Sequence, residues 1–183
     1  MNIKYRPEID GLRTLAVFAV LLYHIEFTLF GNKLFTGGFV GVDIFFVISG
    51  YLITSIIKKE LVTNNSFSFK KFYLRRVRRI LPLLLFISIF FLLLSYFFLS
   101  PTHLSKFTNS VFSSILFSSN FYFFGENIDY GNNYSHLMPF LHTWSLSVEE
   151  QFYFLFPLLT WFTGFSRAKK DGNNNLLIAI LIF

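Results

Sequence analysis

The sequence predicts an all-α fold, a polytopic bundle of membrane helices. Apolar residues fill 54% of its 183 positions and charged residues only 14%, whereas a soluble domain carries about a quarter charged. Ile80 to Leu99 is an uncharged run long enough to cross about 30 Å of hydrocarbon. The basic residues are clustered. Lys4, Arg6 and Arg13 precede or open the first apolar stretch, eight of the 16 Lys and Arg lie between Lys58 and Arg79, and Arg167, Lys169 and Lys170 follow the last span. By the positive-inside rule these three groups are cytoplasmic.

The elements follow in order. A first span runs outward from Leu12 to Phe30, and Gly31 to Lys33 forms a short outer loop. The second span, Leu34 to Ile57, returns inward; Gly37, Gly38 and Gly41 near its start suit close helix contact in a membrane. Lys58 to Arg79 is a basic cytoplasmic segment, and Ile80 to Leu99 goes out again with Pro82 in its first turn, where proline is tolerated. Val111 to Phe124 is short for a span and reads as a re-entrant or interfacial piece, so that both ends of Pro101 to Leu141 lie outside, with two short passes through that region as the alternative. Gly125 to Ser135 is a polar outer loop, and His142 to Phe165 is the fourth span, running inward. Leu176 to Phe183 is too short to cross. Residues 1–183 therefore read as one transmembrane domain, incomplete at its C-terminus.

Several function classes recede. With no cysteine, the chain has no disulfide, no zinc-thiolate site and no acyl-cysteine intermediate. The first apolar stretch is too long for a secretory signal and carries Arg13. Membrane topology already explains the net charge of +6, so a nucleic-acid partner is not expected. No metal site is expected either.

Ionisable groups inside the spans point to chemistry, because they are costly in hydrocarbon and usually face a protein interior or watery cavity. Arg13 and His24 are eleven residues apart, close to whole helical turns, so they share a face about 16 Å apart along the axis. Counted from the cytoplasmic ends, His24, Glu26, Asp43, Glu149 and Glu150 fall at similar depths of about 18–23 Å. A histidine beside a carboxylate can act as a general base on a hydroxyl; it can equally bond a neighbouring helix's backbone as a structural group. Arg13 can hold an anion or snorkel to the interface. In the basic run, Arg76 and Arg79 are three apart and could grip one phosphate; Arg75 and Arg78 share that spacing. Anionic lipid headgroups are the blander partner.

These pieces resemble a family. Glu8-Ile9-Asp10-Gly11-Leu12-Arg13 with His24, the run Gly38 to Leu52 (GFVGVDIFFVISGYL), Arg75-Arg76-Val77-Arg78-Arg79-Ile80-Leu81-Pro82, and His142 to Tyr153 (HTWSLSVEEQFY) together resemble the acyltransferase-3 membrane proteins, the O-antigen acetylase type. The resemblance implies a bundle of about ten helices, of which roughly half is present here. It implies transfer of an acyl group, usually acetyl, from cytoplasmic acetyl-CoA to a hydroxyl of a cell-surface glycan such as O-antigen or peptidoglycan, in the bacterial inner membrane. It implies His24 as general base, with Glu149 or Asp43 assisting. Arg13, Arg76 and Arg79, with Arg75 the ambiguous neighbour, would bind the donor. Some members append an SGNH-type domain. The competing readings are a proton-coupled transporter, since intramembrane His and carboxylates also build proton relays, and a truncated, inactive family member.

Overall fold

A computed structural model describes residues 6–25, 28–29, 32–33, 36–126 and 138–165. They are mainly helical, with one short antiparallel strand pairing. The helices are α1 (Pro7–His24), α2 (Val40–Asn64), α3 (Phe69–Phe98), α4 (Pro101–Ile115), α5 (Ser119–Gly125) and α6 (Thr143–Phe162). Between α1 and α2, β1 (Thr28–Leu29) pairs antiparallel with β2 (Asn32–Lys33). Helices α2 and α3 are long and apolar enough to cross a membrane. The chain divides into two compact units: α1, α2 and the end of α6 in one, and α3 through residue 158 of α6 in the other.

In the first unit, α1 and α2 pack against each other through small residues. A Cβ placed on Gly38 would collide with the Ala19 carbonyl oxygen and meet Tyr23 Cβ at 2.8 Å; one on Gly41 would collide with the Ala16 carbonyl and meet Val20 Cγ2 at 2.8 Å. Bare glycines let the two backbones touch, which drives association where lipid offers no hydrophobic gain. Helix α2 starts at Val40, later than the apolar run at Leu34, because the chain first turns through residues 36–39. Its other end is set by Asn65, in the left-handed conformation at φ 53°, which asparagine tolerates better than most residues.

In the second unit, α3 is one continuous helix that begins at Phe69, not at Ile80. The basic run therefore forms its first turns, and Pro82 is interior to the helix rather than in its first turn. The expectation failed because charge marks a membrane boundary, not a helix end. Leu83, Phe86, Phe90, Leu93 and Phe97 are exposed along α3, a face suited to hydrocarbon or to further helices. The core lies on the other side. There Leu84, Phe107, Val111, Phe123, Met138, Phe140 and Leu141 cluster, with Trp144 packed against them.

The short apolar piece Val111 to Phe124 is not one segment. Helix α4 covers its beginning, α5 its end, and Phe117 between them adopts φ 51°. A break in a helix leaves main-chain groups that need partners inside protein. Beside this break runs a seam of small polar side chains, in which Ser147 Oγ accepts from the Ser119 N–H at 3.3 Å. Ser114 Oγ lies 2.7 Å from Thr143 Oγ1, Thr143 Oγ1 lies 3.0 Å from Ser119 Oγ, and Ser119 Oγ lies 2.7 Å from Ser147 Oγ. Ser114, Ser119 and Ser147 are all buried.

Candidate functional site

Arg13 and His24 both belong to α1, which runs unbroken between them, so the shared stripe expected from their spacing follows. Arg13 places its guanidinium 5.2 Å from the Phe45 ring centre on α2, and its buried Nε has no hydrogen-bond partner. His24 is the last residue of α1, and its Nδ1 lies 2.8 Å from the Val20 carbonyl oxygen. A carbonyl only accepts, so Nδ1 carries the proton and Nε2 is the basic atom of the neutral ring. The Tyr23 ring meets the His24 imidazole edge-on at 5.1 Å.

Asp43 does not share His24's level. Gly38 lies beside Ala19 and Tyr23, Gly41 beside Ala16 and Val20, and Arg13 beside Phe45. This antiparallel register puts Asp43 near the height of Ala16, about 12 Å from His24 along the axis at about 1.5 Å per residue. The equal depths counted along the sequence assumed that both spans begin at the same height, and they do not. Glu26 lies outside the described residues.

The second unit contains a cavity of about 630 Å³ lined by Tyr73, Arg76, Phe117, Glu150, Gln151 and Tyr153, among others. Three elements build it: the first turns of α3, the α4–α5 break, and the middle of α6. Tyr73 Oη donates to the Phe154 carbonyl at 2.9 Å. That carbonyl lies next to the turn that Pro157 loosens, since proline cannot donate to the carbonyl of Tyr153. Gln151 Nε2 donates to the Phe117 carbonyl at 2.7 Å and to Asn120 Oδ1 at 2.9 Å.

Arg76 lies over the Tyr153 ring, 3.9 Å from its centre, and 5.7 Å from that of Phe72. Tyr153 Oη in turn donates to Glu149 Oε1 at 2.5 Å. Glu150 sits within the electrostatic reach of Arg76, Arg79 and Glu149, and its buried Oε1 has no hydrogen-bond partner. Of the four arginines, Arg76 is half-buried and lines the cavity, while Arg75, Arg78 and Arg79 are exposed. Arg76, from the basic run, and Glu150 line the same cavity. Depth counting missed this because α3 starts eleven residues before the uncharged run. It also passed over Tyr73, Asn120, Gln151 and Tyr153. A helical signal was present for Tyr153, four residues after Glu149 and three after Glu150, hence on their face.

The acyltransferase domain model of the Acyl_transf_3 family matches residues 6–183. The chain belongs to the acyltransferase-3 family. It is 41% identical over 181 residues to "Peptidoglycan O-acetyltransferase OatA" of Listeria monocytogenes serovar 1/2a, covering 98% of this chain and 27% of that protein. It is 38% identical over 179 residues to "O-acetyltransferase OatA" of Staphylococcus aureus strain NCTC 8325, covering 98% and 28% respectively. It is 37% identical over 162 residues to "Putative O-acetyltransferase SAS0844" of S. aureus strain MSSA476, covering 86% and 25%. The chain spans about a quarter of the length of these relatives. No solved structure matches it.

The two units carry different chemistry. The first presents a tautomer-fixed histidine above a half-buried arginine. The second presents an arginine, a carboxylate and an amide around a mostly apolar cavity. Among the described residues no group of His, Asp and Glu is placed to hold a metal ion.

Proposed function

We propose that the protein is a membrane O-acetyltransferase that moves an acetyl group from cytoplasmic acetyl-CoA to a hydroxyl of a cell-surface polysaccharide. Peptidoglycan is the acceptor suggested by the name of the Listeria relative. The observation that carries the reading is the likeness to two named O-acetyltransferases over 98% of this chain. The setting is the bacterial inner membrane with the N-terminus in the cytoplasm, in keeping with the basic clusters.

In this reading His24 Nε2 takes the proton of the acceptor hydroxyl as its oxygen attacks the thioester carbonyl. The carbon–sulfur bond then breaks, the thiolate of coenzyme A leaves, and the proton passes to it from the imidazolium. The Val20 carbonyl holds the ring in the tautomer that this step needs. Arg76 and Arg79, with Arg75 nearby, are the candidates in the second unit for holding the donor's phosphates, and Arg13 is the candidate in the first. Asp43, about 12 Å from His24 along the axis, is too far to offset charge developing on the imidazole.

The test is deletion of the gene followed by measurement of ester-linked acetate on purified peptidoglycan. Loss of acetate, restored by the native gene but not by His24→Ala, is the expected result. Acetate unchanged by the deletion would sink the proposal for this acceptor, and full restoration by His24→Ala would remove the proposed base.

A further inference from the structure

We infer that Tyr153 is a positioning residue for Arg76, holding its guanidinium flat so that its N–H edge faces an anionic group entering the cavity. The inference rests on the reading of Arg76 as a ligand of the donor's phosphates. Tyr153 is buried, and its ring centre lies 3.9 Å from the guanidinium carbon. A guanidinium stacked on a ring uses its face, not its edge, so the planar fork of N–H donors remains available in the plane. Among the described residues Arg76 makes no hydrogen bond or ion pair of its own.

The surroundings reinforce the arrangement. The Tyr153 hydroxyl donates to Glu149, which pushes electron density into the ring and strengthens its attraction for a cation. Phe72, buried one turn before Arg76 on α3, adds a second aromatic surface at 5.7 Å. Glu150 lies beside Arg76 with an unpartnered buried oxygen. A carboxylate in that place competes for the guanidinium, so without the Tyr153 ring Arg76 would swing toward Glu150 and offer a neutralised edge. The aromatic platform therefore keeps a cation and an acid adjacent without letting them pair.

The experiment measures binding of coenzyme A itself to the purified full chain in lipid nanodiscs. Tyr153→Leu should weaken binding about five-fold or more, the scale of a desolvated cation–π contact. Tyr153→Phe and Tyr153→Trp, which keep a ring, should recover most of that loss. Arg76→Lys, which leaves Tyr153 in place but removes the planar fork, should weaken binding as well. In the Arg76→Ala background, Tyr153→Leu should have no further effect.

A Tyr153→Leu protein that binds coenzyme A as tightly as the wild type would overturn the inference. So would a full multiplicative loss in the double variant, because Tyr153 would then act independently of Arg76. If Tyr153→Leu does not accumulate, wild-type affinity in Arg76→Lys is the overturning result. A different failure is visible separately: if Arg76→Ala leaves binding unchanged, or the native protein does not bind coenzyme A, the donor-phosphate reading itself falls.

Discussion

The side-chain amide of Gln151 donates to the main-chain carbonyl of Phe117 at 2.7 Å, at the point where α4 gives way to α5. The same amide pairs with Asn120 in both directions, Gln151 Nε2 to Asn120 Oδ1 at 2.9 Å and Asn120 Nδ2 to Gln151 Oε1 at 3.3 Å. Phe117 sits at φ 51°, where a side chain is uncomfortable, so the break persists because its neighbours hold it. Gln151→Leu should therefore destabilise the second unit by about 2–3 kcal/mol, through a carbonyl and an amide left without partners. Thermal unfolding in detergent checks the magnitude. Faster proteolysis at residues 116–118 should accompany it.

The contact between α1 and α2 gives a second prediction. Gly41→Val places a branched side chain against the Ala16 carbonyl, and Gly38→Val places one against that of Ala19. Each should cost about 1–3 kcal/mol by forcing the backbones apart. Gly11→Ala is the control, since nothing lies within 4 Å of a Cβ there. It should be neutral or slightly stabilising in a helix. The midpoints of the three variants in one unfolding series separate the effects.

The buried hydroxyl seam gives a third. Ser147→Val removes the partner of the Ser119 N–H and one of the two partners of the Ser119 hydroxyl, leaving it Thr143 Oγ1. Stability should drop by about 1–3 kcal/mol. Adding Ser119→Ala also removes the partner of Thr143 Oγ1, and a double-mutant cycle reads how strongly the two serines are coupled.

Catalysis gives the fourth. If His24 is the base, His24→Ala should lower the rate of acetyl transfer about 10²- to 10⁴-fold while leaving affinity for coenzyme A nearly unchanged. Arg13→Ala should show the opposite pattern, with weaker donor binding and a smaller effect at saturating donor, and Arg13→Lys should be intermediate because the fork is lost but the charge is kept. A His24 variant that loses donor affinity in proportion to its rate would argue against the role of base.

Much of the molecule was legible in the chain itself. The long apolar stretches became α1, α2, α3 and α6, because hydrophobic length needs no partner to declare itself. Of the glycines near the start of α2, Gly38 and Gly41 form the helix contact expected of them, whereas nothing lies within 4 Å of a Cβ at Gly37. Arg13 and His24 share a stripe because that depends only on residue spacing within one continuous helix. The family was recognisable from motifs that are local in sequence.

What failed were statements about relative height and about ends. Pro82 reads as a first-turn residue only if α3 begins where charge stops, and it begins eleven residues earlier. Asp43 counts to the depth of His24, yet the glycine contacts fix a register that lowers it by about eight residues, at about 1.5 Å each. The split of residues 111–124 at Phe117 has no strong local signal, because phenylalanine disfavours the conformation it takes there.

The sequence by itself determined that long apolar helices dominate, including α2 and α3 that are long enough to cross a membrane, and to which family the chain belongs, since apolar length, charge bias and short motifs are properties of single segments. Tertiary structure decided that Arg76 stacks on Tyr153, that Glu149 is tied to that same ring, and that Asp43 stands well below the imidazole. Those relationships depend on the sliding and rotation of one helix against another. That register is set by side-chain packing between residues far apart in the chain, and no pattern within one helix encodes it.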